Sequence, residues 1–208
     1  MSDAIPALDS YRDEASKHFT PPPVERTIAA GRRRVRRRRQ AVLAATVVAA
    51  PSKAHGPTRQ KVVETVRIAA PAAVVWSRIK DFDALKGWHP AIEASPADKG
   101  NAEGSVRQVS LKGSGTLVEA LERYDDSAMR YSYRAKDGGA LPVTNYTSTI
   151  SVSGDGSSAV VEWRGAFYRG YPNNDPPPDR NDEAAVKAVT EVYRSGLANL
   201  KKLVETPQ

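Results

Sequence analysis

Few residues in this chain are equipped for acid–base chemistry. His89 is one of three histidines, and His18 and His55 lie before or at the edge of the stretch that reads as folded. Its imidazole would titrate near neutrality and, paired with a carboxylate, make a general acid–base couple. It stands in Trp88-His89-Pro90, where the plainer reading is a turn: His89 caps backbone groups and Trp88 fills the core. Glu119 lies mid-strand, on the same face as Leu117 and Leu121. Facing inward, it is a buried carboxylate that needs a partner such as Arg134 or Tyr133. Facing outward, it is a cross-strand charge opposite Arg130 or Arg107. Both readings stay open. His89 and Glu119 are the only catalytic candidates, and no catalytic role is assigned to either. No Ser/His/Asp set, phosphate loop or metal-ligand spacing rises above chance, and the chain has no cysteine for thiol catalysis or a zinc thiolate site. No cofactor and no metal are expected.

Binding is better provided for. Tyr131, Tyr133, Tyr146, Trp163, Tyr168 and Tyr193 are amphipathic aromatics whose rings could line a pocket and whose polar tips could fix a ligand. With Trp88, His89 and Glu119, the candidate ligand-binding set is Trp88, His89, Glu119, Tyr131, Tyr133, Tyr146, Trp163 and Tyr193. For any one ring, core packing is the simpler role.

These residues need a scaffold, and the stretch from Asp182 to Val204 organises it. Val186, Val189, Tyr193, Leu197, Leu200 and Val204 recur at steps of three and four, one face of a helix about 34 Å long. Asp179, Asn181 and Asp182 offer N-caps, and Lys201 and Lys202 suit the C-terminal pole. Gly196 inside that helix costs about 1 kcal/mol relative to Ala, which implies a close approach or pocket space there. Upstream, 61–68 reads as a strand. Pro71 then opens a helix over 72–80 with Val74, Val75, Trp76 and Ile79 as its buried side, and a second short helix runs through Leu85. Six more strands are predicted at 92–99, 105–111, 115–124, 129–135, 143–152 and 158–168, separated by Gly/Asn/Asp turns. Met129, Tyr131 and Tyr133 form one predicted inner face, and Tyr146, Ser148, Ile150 and Val152 another; the alternation in 160–168 leaves its inner face undecided. Pro172 and Pro176-Pro177-Pro178 make 169–180 a loop. The expected fold is α+β: about seven antiparallel strands wrapped around one long C-terminal helix, with two short helices after the first strand.

The formal charge of +7 is unevenly placed. Residues 1–54 hold 11 Lys/Arg against 5 Asp/Glu, whereas residues 55–208 hold 20 against 19. The near-neutral second part argues against a nucleic-acid-coating surface. Residues 1–31 read as a disordered leader. Residues 32–54 join a block of arginines to the apolar run AVLAATVVAA and a small-residue stretch, the layout of a signal peptide cut near Ala54. The run is too short to span a membrane. Export to the periplasm is therefore the expected localisation. The alternative is a cytoplasmic protein whose arginine tail binds nucleic acid or membrane. Residues 55–208 form the folded domain.

In order and spacing, Val74-Val75-Trp76, Asp81-Phe82, Trp88-His89-Pro90, Tyr131-Ser132-Tyr133-Arg134, Leu141 to Tyr146 and Tyr193 to Leu200 resemble the helix-grip superfamily of START, birch-pollen-allergen and polyketide cyclase-like proteins (SRPBCC). Within it they most resemble the MxaD-type periplasmic accessory proteins of bacterial methanol oxidation. The resemblance implies an apolar cavity between sheet and helix that holds a small apolar or amphipathic ligand, and a periplasmic oxidoreductase as partner. It also leaves a second possibility, a cyclase or dehydratase using His89 with a carboxylate. This fold hosts many functions.

Overall fold

The computed structural model describes residues 56–136 and 138–206. The chain divides into two units, 1–48 and 49–208, and the described residues belong to the second. The expectations for the leader and for the Arg32–Ala54 segment concern residues outside those described.

The elements are β1 (Gln60–Ile68), α1 (Ala72–Ile79), α2 (Leu85–Trp88), β2 (Ile92–Ala94), β3 (Val106–Leu111), β4 (Gly115–Asp125), β5 (Arg130–Ala135), β6 (Val143–Gly154), β7 (Ala159–Arg169), a 3-10 turn (Pro178–Arg180) and α3 (Asp182–Glu205). The strands form one antiparallel sheet in the order β1-β7-β6-β5-β4-β3-β2. Strands β2 to β7 run as a meander. β1 joins its far side, with Gln60 opposite Phe167 and Ile68 opposite Ala159.

α3 begins where the side chain of Asn181 accepts the Ala184 N–H at 2.8 Å, with Asp182 and Glu183 in the first turn. This satisfies one of the orphan donors and complements the positive end of the helix dipole. The helix buries Ala185, Val189, Tyr193, Gly196, Leu197 and Leu200 and packs chiefly on β1 and β7. It also guards the β1 edge, where unpaired backbone groups invite association. Lys201 Nζ donates to the Arg67 carbonyl at 2.7 Å, and Glu205 accepts the Ala69 N–H at 2.7 Å.

Two local expectations need correction. The strand predicted over 92–99 is regular only as far as Ala94. Ser95 Oγ donates to the Asp83 carbonyl and accepts the Lys86 N–H, which draws the chain toward α2, and Pro96 has no N–H to give. In α1, Val75, Trp76 and Ile79 are buried, but Val74 is 48 % exposed. At about 100° per residue, Val75, Trp76 and Ile79 share an arc of about 100°, and Val74 lies about 100° beyond its edge.

Strand irregularities re-aim particular side chains. A register shift between Leu121 and Arg123 turns the consecutive residues Glu122 and Arg123 both outward. Another lies between Thr144 and Thr147, where Asn145 takes φ 48°, a left-handed conformation that Asn tolerates well.

Candidate interior site

The inner faces of β5 and β6 point as expected. Tyr131, Tyr133, Tyr146, Ser148, Ile150 and Val152 all point inward and are buried. The ambiguous strand resolves with Val161, Trp163, Gly165 and Phe167 inside. Met129 instead sits in the turn before β5 at φ 48° and is half-buried.

At the positions expected to line a cavity, the rings pack on one another. Trp163 stacks on Tyr193 with centroids 4.4 Å apart and planes 13° from parallel. Trp88 lies 5.3 Å from Trp163, and Tyr133 lies 6.3 Å from Tyr146. Such pairs contribute roughly 0.5–1.5 kcal/mol each beyond area burial. Gly196 makes the close approach possible. A Cβ there would lie 2.5 Å from His89 Cδ2 and 3.0 Å from Trp163 Cζ3. Recesses open to solvent lie on the outside. One of about 720 Å³ runs between Gln60 and the first half of α3, and one of about 630 Å³ lies among Arg78, Ala84, Trp88, Leu200 and Leu203.

The polar tips form one oriented chain. Ser148 Oγ donates to the Arg164 carbonyl at 3.0 Å, which spends its only proton. Its 2.8 Å contact with Tyr193 must therefore be donated by Tyr193, whose own 2.8 Å contact with Tyr146 must be donated by Tyr146. The Trp163 indole N–H is shared between Ser148 Oγ at 2.9 Å and Tyr133 Oη at 3.0 Å. Burial pushes the hydroxyl pKa values of Tyr133, Tyr146 and Tyr193 well above 10, so these groups stay protonated and offer no base near neutrality. Gly165 admits the Tyr193 hydroxyl, since a Cβ on it would lie 2.3 Å from that oxygen.

Glu119 faces inward, and its partner is Arg107 rather than the expected Arg134 or Tyr133. The two are cross-strand neighbours, with Arg107 Nε 2.7 Å from Glu119 Oε2 and both residues at most 3 % exposed. Arg134 pairs with Glu122 on the outer face instead. Arg107 also donates to the Phe82 carbonyl at 2.8 Å and lies between the Phe82 and Tyr133 rings, 4.2 and 4.7 Å from their centroids. Burial, the largest influence, would lower the guanidinium pKa, but the Glu119 carboxylate together with Tyr131 and Tyr133 outweighs it and holds Arg107 charged. Asn101 accepts the Phe82 N–H and donates to Asp81, so the corner between α1 and α2 is fixed by two polar residues. The sequence named Arg107 as opposite Glu119 only for an outward-facing pair, whereas the pair lies on the inner face. The signal for that face was the alternation of Arg107 with Val109 opposite the Leu117/Glu119 face.

His89 serves the turn. Its Nδ1 accepts the Ala91 N–H at 3.2 Å, so the proton assigned from this network sits on Nε2, which donates to the Val192 carbonyl at 2.9 Å. Both nitrogens are engaged, and Glu119 is held by Arg107, so the two catalytic candidates form no couple. Desolvation is the main cause that lowers the His89 pKa below 6.5, with the Arg107 charge adding to it and the Val192 carbonyl opposing. The unfolded chain therefore takes up a proton near pH 6.5 that the folded chain declines. Stability should fall as pH drops from 6.5 toward the folded pKa, by at most about 1.4 kcal/mol per pH unit. Urea unfolding at pH 7.5 and 5.5 should show this loss, and His89→Gln should remove part of it. Equal pH dependence in both proteins would refute the assignment.

One donor remains. Among the described residues, Trp88 Nε1 is the sole buried side-chain nitrogen or oxygen with no hydrogen-bond partner. The other two indoles are satisfied, Trp163 as above and Trp76 by Asp126 at 2.7 Å. Asn199 Nδ2 donates to the Trp88 carbonyl at 2.8 Å and so ties this corner to α3. Arg169, missed in the sequence, donates to the Tyr171 and Asn173 carbonyls and lies 3.3 Å from Asp182, which folds the proline-rich loop back onto the start of α3.

Comparison with known proteins agrees with this architecture. Residues 59–205 match the model of the family described as polyketide cyclase / dehydrase and lipid transport. The abscisic acid receptor PYL2 of Arabidopsis thaliana is 35 % identical over 101 residues, 47 % of this chain and 53 % of the receptor, so the chain spans about half the length of that relative. The structure of XoxI from Bacillus cereus superposes with a TM-score of 0.59 at 28 % identity, covering 69 % of this chain and 94 % of XoxI. The Zhui aromatase/cyclase of Streptomyces sp. R1128 shares the fold at 16 % identity, with a TM-score of 0.56 over 71 % of this chain and 94 % of its own. With the family model covering nearly all of the described sheet and helix, the chain belongs to the polyketide cyclase / dehydrase and lipid transport family, within the helix-grip superfamily.

Proposed function

We propose that this chain is an exported, non-catalytic binder of a small amphipathic molecule that acts as an accessory to a periplasmic oxidoreductase. The observation that carries the binding reading is the Trp88 indole. It is a buried donor without an acceptor, and among the described residues the other buried side-chain polar atoms are paired. An unmade buried hydrogen bond costs about 1–3 kcal/mol, and a ligand oxygen near Trp88 would recover it. The name of PYL2, a receptor for a small molecule, and the family's description support a ligand. The accessory role and the periplasmic partner rest on the MxaD-type resemblance alone. Export rests on the layout of residues 32–54. The cyclase or dehydratase alternative loses support because His89 and Glu119 are engaged separately.

The test is native mass spectrometry of the protein isolated from its own host without organic solvent. A discrete added mass that disappears on denaturation is expected. Trp88→Phe, which keeps a ring and removes the N–H, should reduce occupancy about tenfold, the equivalent of one hydrogen bond. A bare chain from every preparation would refute the binding reading. N-terminal sequencing of the same material should find a start near His55, and an intact arginine block would refute export.

A further inference from the structure

We infer that the outer face of the sheet carries a phosphate-binding site, built from Arg123, Arg130 and Arg164 around the hydroxyls of Ser132 and Thr149. It is separate from the interior and does not depend on what the interior binds.

The strand register assembles it. Arg123 is opposite Ser132, Ser132 is opposite Thr149, and Thr149 is opposite Arg164, one continuous row across β4, β5, β6 and β7. Arg130 lies two residues before Ser132 and so shares its face. Arg123 joins the row because the β4 irregularity turns it outward beside Glu122. Neighbouring strands lie about 4.8 Å apart, so the row places the two end arginines within side-chain reach of a common point over its centre. All five residues line a single recess of about 440 Å³, together with Glu103, Tyr124, Asp125 and Tyr131.

The positive groups there are little used. Among the described residues, neither Arg123 nor Arg130 has a carboxylate within ion-pair distance, and Arg164 has only Glu162 at a long 3.8 Å. Of the acids nearby, Glu122 is held by Arg134 at 2.7 Å. Asp125 stands opposite Arg130 and feels its charge, but its carboxylate is held in its own turn, accepting from Ser127 Oγ at 2.7 Å and from the Ala128 N–H at 2.9 Å. Glu103 remains on the rim. Three planar guanidinium forks and two hydroxyl donors suit a tetrahedral dianion, whose several oxygens accept from different directions at once. A carboxylate offers only two. The recess also leaves room for an organic body attached to the phosphate, which belongs either to a soluble phosphomonoester or to a lipid headgroup.

The full chain is titrated with inorganic phosphate in low salt, by calorimetry, as wild type, as Arg123→Gln/Arg164→Gln and as Arg134→Gln. Saturable binding is expected in the wild type and in Arg134→Gln, whose arginine shares the outer face but is already paired. Binding should weaken at least tenfold in the double variant, which keeps the N-terminal arginines, with the melting temperature little changed because both side chains are exposed. Glycerol 3-phosphate and phosphatidylcholine vesicles containing phosphatidic acid then distinguish the two sources. Tighter binding of the former assigns a soluble phosphomonoester, and tighter binding of the vesicles, lost in the double variant, assigns a headgroup. Absence of saturable phosphate binding overturns the proposal. So does binding that survives in the double variant or falls equally in Arg134→Gln.

Discussion

Glu119→Leu should destabilise the fold by about 3–5 kcal/mol, because it strips the counter-charge from an arginine that has no route to water. Glu119 no longer supports the charge in this variant, but a guanidinium stays protonated by its own nature, so Arg107 cannot shed its proton to relieve the loss. The Phe82 carbonyl and the flanking rings remain, but none of them carries a full negative charge. Urea unfolding measures the effect. Arg107→Met/Glu119→Leu should recover most of it, since replacing a whole buried pair by apolar groups of similar volume is often near neutral. The double variant would still lack the Arg107 bond to Phe82, so hydrogen exchange at residues 80–89 should rise even where global stability returns. A loss under 1 kcal/mol in Glu119→Leu would mean that Arg107 finds water or another anion.

Gly196→Ala is the second large effect, and a helix scale misjudges its sign. On propensity alone the change should stabilise by about 1 kcal/mol. The new Cβ would lie 2.5 Å from His89 Cδ2, however, and α3 cannot readily shift, since Tyr193 is stacked on Trp163 and Leu200 is fully buried. His89 must move instead, giving up its bonds to Val192 and Ala91. Overpacking of this kind costs about 1–3 kcal/mol, and the lost hydrogen bonds add to it. A net destabilisation of about 2 kcal/mol is expected by denaturation. The His89 pKa should also rise back toward 6.5 as burial is relieved, read from imidazole chemical shifts across a pH titration. An unchanged imidazole titration would show that Trp163 or the helix yields rather than His89.

Both predictions concern the polar interior, which only part of the sequence made legible. The helix-grip architecture was readable because each element carried its own local signal. α3 shows apolar residues at steps of three and four behind an Asn181 cap, and most strands show strict alternation between turn formers. That alternation also set the inner faces of β5 and β6, so Tyr131, Tyr133, Tyr146 and Ser148 were placed correctly. It failed at β2, where Ser95 bonds to groups nine and twelve residues away. The role of Glu119 was undecidable for the same reason. A charged residue in an alternating strand looks the same from either face, and the matching arginine stood twelve positions earlier on the neighbouring strand. The tyrosines appeared as separate rings in the sequence. That they form one directional chain ending on the Arg164 carbonyl follows from strand register and from the single proton of Ser148. Likewise, Gly196 announced a close approach or pocket space, without deciding between them or naming His89 and Trp163 as what approaches. Periodicity is a short-range property that the chain carries in itself. The partner of a buried charge, the orphaned N–H of Trp88 and the row of arginines on the outer face are long-range pairings, and only the packed sheet and helix decide them.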